Sequence, residues 1–141
     1  MDLTSSLEPA RREHVRARLD NNLMAWLSTV TPGGQPVSVP VWFLVREDRS
    51  ILIYSEAGKA KLRNLEHNPK VTIGLDVTDL GRDIVRIDGT AARATDVPPA
   101  DQNPAFVRKY LERIAAIFGT VDRFAEKFSV PLIVTPTRLR A

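Results

Sequence analysis

The sequence LMAWLSTVTPGGQPVSVPVWFLV, residues 23–45, contains two apolar segments separated by a turn signal. The segments at residues 23–30 and 37–45 are rich in β-branched and aromatic side chains, which favour strands. Pro32, Gly33 and Gly34 lie between them and are typical of a tight connection. This stretch therefore predicts a strand, a turn and a second strand.

The rest of the chain predicts four further strands, at residues 51–54, 71–77, 84–94 and 131–140. Pro136 indicates that the last of them is an edge strand or a bulged strand, and Gly89 indicates a bulge or a close backbone approach. Because the first three strands are joined by hairpin-length connections, the pattern favours an antiparallel barrel over a layered βαβ sheet. We expect a mainly β protein.

Four short helices are predicted around the barrel. The first begins near Pro9, the second covers residues 59–66, the third covers 104–118 and the fourth covers 121–128. Asn103 and Pro104 form a typical helix start, and apolar residues then recur at helical spacing up to Gly119. We expect this aromatic stripe to be core or interface.

Composition limits the possible chemistry. The 141 residues suit one domain, residues 1–141, and the chain has no cysteine and two histidines, which excludes a disulfide scaffold, thiol catalysis and thiolate zinc sites. The most apolar stretch, residues 39–45, is too short to span a membrane, and the N-terminus lacks the order of a secretory signal. We expect a cytoplasmic protein with no membrane span. Asp76, Asp79 and Asp83 are interpreted as turn residues, and no metal site is expected.

The cluster YSEAGKAKLRN, residues 54–64, carries the clearest chemical signal. It lies where a strand ends and a helix begins, so free backbone N–H groups and the helix dipole favour an anion. Leu62 and Leu65 should face the barrel and leave Lys59 and Arg63 exposed. The two cations Lys59 and Arg63, together with Ser55 and Lys61, predict a phosphate site. A basic helix face that is simply solvated is an equal alternative.

The ordered set of residues 23–30, 40–43, 54–55, 59–65 and 68–69 resembles the pyridoxamine 5′-phosphate oxidase-like split β-barrel family. Within it, the sequence is most similar to the actinobacterial flavin/deazaflavin oxidoreductases that use coenzyme F420, an 8-hydroxy-5-deazaflavin. Residues 131–140 resemble that branch as well. The resemblance covers nearly the whole chain and implies a six-stranded, FMN-binding-like split β-barrel that forms a homodimer with cofactor sites at the subunit interface.

The resemblance also implies which residues bind the cofactor. The phosphate and the chain attached to it would be bound by Ser55, Lys59, Lys61, Arg63 and Asn64, with Tyr54 beside them. The tricyclic ring would lie along Val39, Pro40, Val41 and Trp42. Trp42 as simple barrel core is an equal alternative. Arg138 either faces the pocket or is a solvated charge.

The implied activity is that of an F420-dependent oxidoreductase, specifically a reductase that transfers a hydride between the reduced deazaflavin and a small conjugated substrate. Such a protein orients ring and substrate, so no catalytic side chain is assigned. FMN is the alternative cofactor, and a non-catalytic protein that sequesters F420 or FMN is the alternative class. Nucleic-acid binding is not expected, because few aromatic residues accompany the cations. The ending Arg138-Leu139-Arg140 lacks the Arg-x-His pair of true pyridoxamine phosphate oxidases, so vitamin B6 oxidation is not expected.

Overall fold

The computed structural model describes residues 3–76 and 79–141. Within these residues a single sheet contains seven strands, and all its pairings are antiparallel. The strands are β1 Ala25–Val30, β2 Pro36–Val41, β3 Leu44–Val45, β4 Ile51–Ser55, β5 Lys70–Leu75, β6 Arg86–Arg93 and β7 Val130–Arg140. Their order across the sheet is β2-β1-β5-β6-β7-β4-β3. The mainly β, antiparallel fold is thereby confirmed.

The predicted strand at residues 37–45 is divided into two. Trp42 and Phe43 interrupt it, so that β2 pairs with β1 whereas β3 pairs with β4 at the opposite end of the sheet order. Since only two residues separate these outermost strands, the corner at Trp42 and Phe43 brings the two edges together and curls the sheet. The division also explains why the described chain has seven strands instead of the predicted six.

The helices are α1 Pro9–Asn21, α2 Ala60–His67, α3 Pro104–Phe118 and α4 Val121–Lys127. Each lies close to its predicted bounds. The start of α3 is capped as predicted, because the side chain of Asn103 accepts a hydrogen bond from the backbone N–H of Phe106 at 3.2 Å. Gly119 ends the helix with a positive φ of 83°. No helix in the described ranges is long and apolar enough to cross a bilayer.

The buried apolar side chains form two clusters. The first fills the barrel and includes Leu27, Phe43 and Ile73. The second lies between β4 and the helices α3 and α4, where Phe106, Tyr110 and Ile114 are fully buried, as the aromatic stripe predicted. The two helices therefore cover one outer side of the barrel and leave other parts of the sheet uncovered.

Strand β7 as a whole lies between β6 and β4, so it is not an edge strand, and the predicted bulge is confirmed. Because β4 pairs with it only as far as Val134, Pro136 itself pairs with β6 alone. The register changes from Asp88 opposite Arg138 to Gly89 opposite Pro136, which leaves one extra residue on β7. A proline is tolerated there because the bulge removes the need for a ladder N–H. The predicted fourth strand extended to Val77, which lies outside the described residues.

Candidate functional site

A cleft of about 240 Å³ lies where the ends of β2 and β4 meet the helices α3 and α4. It is lined by Met24, Pro40, Val41, Trp42, Tyr54, Ser55, Glu56, Lys61, Phe118, Phe124 and Phe128. A cavity beneath α1 has only about 30 Å³, room for little more than water. The larger cleft combines an apolar wall with a few polar groups, which is the usual character of a small-molecule site.

The strand side of the cleft comes from residues that the sequence singled out. β2 ends with Pro40 and Val41, the corner contributes Trp42, and β4 ends with Tyr54 and Ser55. These segments are brought together because β2 continues through Trp42 and Phe43 into β3, which pairs with β4. Six of the predicted site residues therefore line one cleft, since Lys61 also belongs to it.

The helix side of the cleft is an aromatic wall that the sequence did not assign to the site. Phe124 and Phe128 stack with ring centroids 4.6 Å apart, and Phe118 meets both rings edge to face. These residues formed part of the predicted apolar faces of α3 and α4. Helical periodicity predicts that a helix has an apolar face, but long-range packing decides what that face covers. The periodicity of α3 and α4 therefore could not place these rings beside β2.

Trp42 belongs both to the cleft and to the aromatic cluster. Its ring stacks on Tyr110 at a centroid distance of 4.7 Å and on Phe124 at 5.5 Å, and its side chain is half-buried. Trp42 therefore packs against the rings of the apolar core and also lines the cleft. Its position is fixed by the rings around it, so it is a rigid part of the cleft wall.

The cations of α2 are arranged as the sequence predicted. Leu62 and Leu65 are buried, Lys59 and Arg63 are exposed, and Lys61 is half-buried in the cleft. Burial lowers the pKa of Lys61, and the neighbouring charge of Lys59 lowers it further. No side chain among the described residues caps the start of α2, and of its first three N–H groups that of Leu62 donates to the carbonyl of Lys59, so an anion there would be met by the N–H groups of Ala60 and Lys61.

The polar groups predicted beside these cations make internal hydrogen bonds. Ser55 is 1% exposed and its Oγ donates to the carbonyl of Glu56 at 2.9 Å. The Tyr54 hydroxyl donates to the carbonyl of Pro98 at 2.7 Å, and burial raises the pKa of Tyr54. The buried Asn64 donates to Thr29 Oγ1 at 3.0 Å. Asn64 thus holds α2 against β1 and does not line the cleft.

The remaining predicted residues lie outside the cleft of one chain. Val39 packs against the barrel core, and Lys59 and Arg63 stand on the exposed side of α2. Arg138 is exposed on β7, eight residues beyond Val130 and therefore roughly 26 Å along the strand at about 3.3 Å per residue. Val130 is paired with Ser55 at the cleft, so Arg138 lies far from the cleft within its own chain.

The sequence pattern of the family described as pyridoxamine 5′-phosphate oxidase matches residues 12–137. The chain belongs to the pyridoxamine 5′-phosphate oxidase family. Among curated members, the pyridoxine/pyridoxamine 5′-phosphate oxidase of Rubrobacter xylanophilus is 33% identical to it over 84 residues. The aligned part covers 60% of this chain and 38% of that protein, so the chain spans well under half of this relative.

Solved structures with the fold of the pyridoxamine 5′-phosphate oxidase family have different described roles. HutZ, a heme storage protein from Vibrio cholerae, matches with a TM-score of 0.63 and 14% identity, covering 92% of both chains. A protein described as an F420 reductase matches with a TM-score of 0.62 and 21% identity, covering 89% of this chain and 94% of that one. At these identities, the likeness concerns the fold alone.

Proposed function

We propose that this protein is an oxidoreductase that binds coenzyme F420 in the cleft and reduces a small conjugated organic substrate. The observation that carries the proposal is the position of the half-buried Lys61, which lies in the same cleft as the strand segment 40–42 and the aromatic wall. Membership of the pyridoxamine 5′-phosphate oxidase family supports a redox role, and the similarly folded F420 reductase supports the choice of cofactor.

The described residues suit such a cofactor. Lys61, with Lys59 and Arg63 close by in sequence, would bind the phosphate at the start of α2. The segment 40–42 and the aromatic wall would flank the flat ring and exclude water from it. When bound, F420 supplies the ring that accepts or donates a hydride. The role of this chain is to bind and orient that ring, and we assign no catalytic acid or base.

FMN is the alternative cofactor in the same cleft. The same phosphate-binding residues would serve both molecules, because each carries a phosphate on a flexible chain next to a tricyclic ring. The related pyridoxine/pyridoxamine 5′-phosphate oxidase supports this alternative at the level of the family. Comparison of the two affinities decides between them.

The experiment is a fluorescence titration of the purified protein with F420 and with FMN, using wild type, Lys61→Ala and Lys70→Ala. Lys70 is an exposed lysine on β5 outside the cleft and serves as the matched control. We expect micromolar or tighter binding of at least one cofactor. Loss of a charged hydrogen bond should weaken binding in Lys61→Ala by about tenfold or more. Lys70→Ala should bind like wild type.

Two results would contradict the proposal in different ways. If neither cofactor binds with micromolar affinity, the proposed function fails. If a cofactor binds equally well to wild type and Lys61→Ala, Lys61 does not bind the phosphate and the proposed phosphate site is wrong.

We also propose that two copies of the chain meet beside the cleft. The cleft volume of about 240 Å³ is below the roughly 300 Å³ at which ligand pockets usually begin, so a second copy would complete it. The outer face of the sheet carries no charged side chain on β1 and β2, which lie next to the cleft: Trp26 is 42% exposed and lies in register between Pro40 and Gly74. Arg138 lies on the same outer face, so a second copy could bring its Arg138 towards this cleft.

A further inference from the structure

The carboxylate of Glu56 lies at the cleft between two lysines that come from different helices. Its Oε2 is 3.0 Å from the Nζ of Lys59, at the start of α2, and its Oε1 is 3.5 Å from the Nζ of Lys127, at the end of α4. The side chain of Glu56 is 24% exposed, whereas both lysine side chains are more than half exposed. Glu56 thus connects the two sides of the cleft through one ion pair to each.

Lys127 stands next to the aromatic wall. It precedes Phe128, which lines the cleft, and its Nζ is 5.9 Å from the ring centroid of Phe118, which lines it as well. A phosphate bound near Lys61 would therefore have a cation from α4 nearby as well as the cation of Lys61 from α2. The basic cluster at residues 54–64 did not include this lysine, because it is distant in sequence.

The charges at this end of the cleft favour a doubly charged anion. Lys59, Lys61 and Lys127 contribute three positive charges and Glu56 one negative charge, which leaves a net charge of +2. None of the ion pairs between described residues involves Lys61. An anion could approach Lys61 directly, but it would have to compete with Glu56 for the other two lysines.

We propose that Glu56 is an internal competitor for the phosphate of the ligand, and that Lys127 is a further phosphate-binding residue. Without a ligand, Glu56, which lines the cleft, pairs with Lys59 and Lys127, which stand beside the cleft. A phosphate ester takes over both lysines, and Glu56 releases them. This inference rests on the proposed function for its natural ligand, because it concerns the phosphate end of the same cofactor site.

The proposal predicts opposite effects for the two residues. Glu56→Gln removes the carboxylate that competes with the phosphate for Lys59 and Lys127, and it also removes the repulsion between that carboxylate and the phosphate. A phosphate-bearing ligand should therefore bind more tightly. Lys127→Gln removes a cation, so the same ligand should bind more weakly. A ligand with the same ring but without a phosphate should bind equally well to all variants, because neither change removes a side chain of the aromatic wall.

The first test compares the dissociation constants of FMN and riboflavin, which differ only by the phosphate. We expect Glu56→Gln to lower the ratio of the FMN constant to the riboflavin constant by about fivefold and Lys127→Gln to raise it by about fivefold, the effect of one partly exposed ion pair. Glu126→Gln is the control, because Glu126 is the exposed acidic neighbour of Lys127 on α4. An unchanged ratio in Glu56→Gln or in Lys127→Gln overturns the role proposed for that residue.

The second test is independent of any cofactor and uses inorganic pyrophosphate. Its stabilisation of the protein is measured as the shift of the thermal unfolding midpoint, relative to each variant without pyrophosphate. We expect the shift to decrease in the order Glu56→Gln, wild type, Lys127→Gln. If the shifts are equal, or if pyrophosphate gives none, this inference is wrong. If pyrophosphate gives the expected order but wild type binds neither F420 nor FMN, the proposed function is wrong and the anion site stands.

Discussion

At the scale of single residues, the corner at Phe43 shows how side chains replace missing strand pairing. Phe43 lies between β2 and β3, yet it is fully buried, so its backbone groups need partners. Its N–H donates to the Tyr110 hydroxyl at 2.8 Å, and its carbonyl accepts from Lys109 Nζ at 2.8 Å. Two neighbouring residues of α3 therefore hold the corner that closes the barrel and shapes the strand side of the cleft.

Lys109 should make stability depend on pH in the alkaline range. Burial lowers its pKa from the ordinary 10.5 to about 8, although its Nζ lies 3.9 Å from the ring centroid of Phe43. Between pH 8 and 10.5 the unfolded state binds more protons than the folded state at this residue, so stability rises with pH across that window. Lys109→Met should remove this contribution.

The measurement is urea unfolding at pH 7.5, 9 and 10.5 for wild type, Lys109→Met and the control Lys70→Met. Because Lys70 is exposed, the Lys70→Met variant should show the same dependence of stability on pH as wild type. Parallel profiles for wild type and Lys109→Met would show that Lys109 titrates normally in the folded protein.

At the scale of elements, the bulge between β6 and β7 depends on a residue without a side chain. A Cβ placed on Gly89 would lie 2.4 Å from the carbonyl oxygen of Thr135, which is backbone and cannot turn aside. We expect Gly89→Ala to lower the free energy of unfolding by about 1–3 kcal/mol, the usual cost of forcing atoms into a packed site. Pro136 and the bulge then could not keep their present geometry.

Gly74→Ala on β5 is the matched control for this prediction. A Cβ at Gly74 would meet no atom within 4 Å, so the substitution should change stability little. Both variants are compared with wild type by urea unfolding. Equal stability of Gly89→Ala and Gly74→Ala would mean that the close approach to Thr135 imposes no strain.

At the scale of the whole molecule, the uncharged outer face of β1 and β2 around Trp26 gives a test of self-association. Trp26→Lys would place a charge at the centre of the proposed contact between two copies, next to Pro40 and Gly74. We expect wild type to sediment as a dimer and Trp26→Lys as a monomer. The monomer should also bind the cofactor more weakly, since the second copy would complete the cleft.

Ile117→Lys is the control, because Ile117 is 61% exposed and lies on α3 instead of on the sheet. It should remain dimeric in sedimentation velocity and keep the affinity of wild type. A monomeric wild type, or a Trp26→Lys protein that is still dimeric, would contradict the proposed contact.

The sequence by itself determined the local structure, including which residues of α2 are buried and which are exposed. Strand and helix positions, the cap at Asn103, the buried Leu62 and the exposed Lys59 all follow from signals within a few residues of each other. Such signals depend on turn chemistry, capping and periodicity, which act over one or two turns of chain. The family resemblance, and not these local signals, indicated residues 39–42 for the ring, and of these Pro40, Val41 and Trp42 line the cleft.

The tertiary structure decided how these parts meet. It divided the predicted strand at Trp42, placed the aromatic wall of α3 and α4 opposite β2, and brought Lys127 to Glu56 across 71 residues of sequence. It also placed Arg138 far from the cleft of its own chain. The physical reason is that these arrangements arise from burial of apolar surface and closure of the barrel, which depend on the whole chain at once and leave no local pattern.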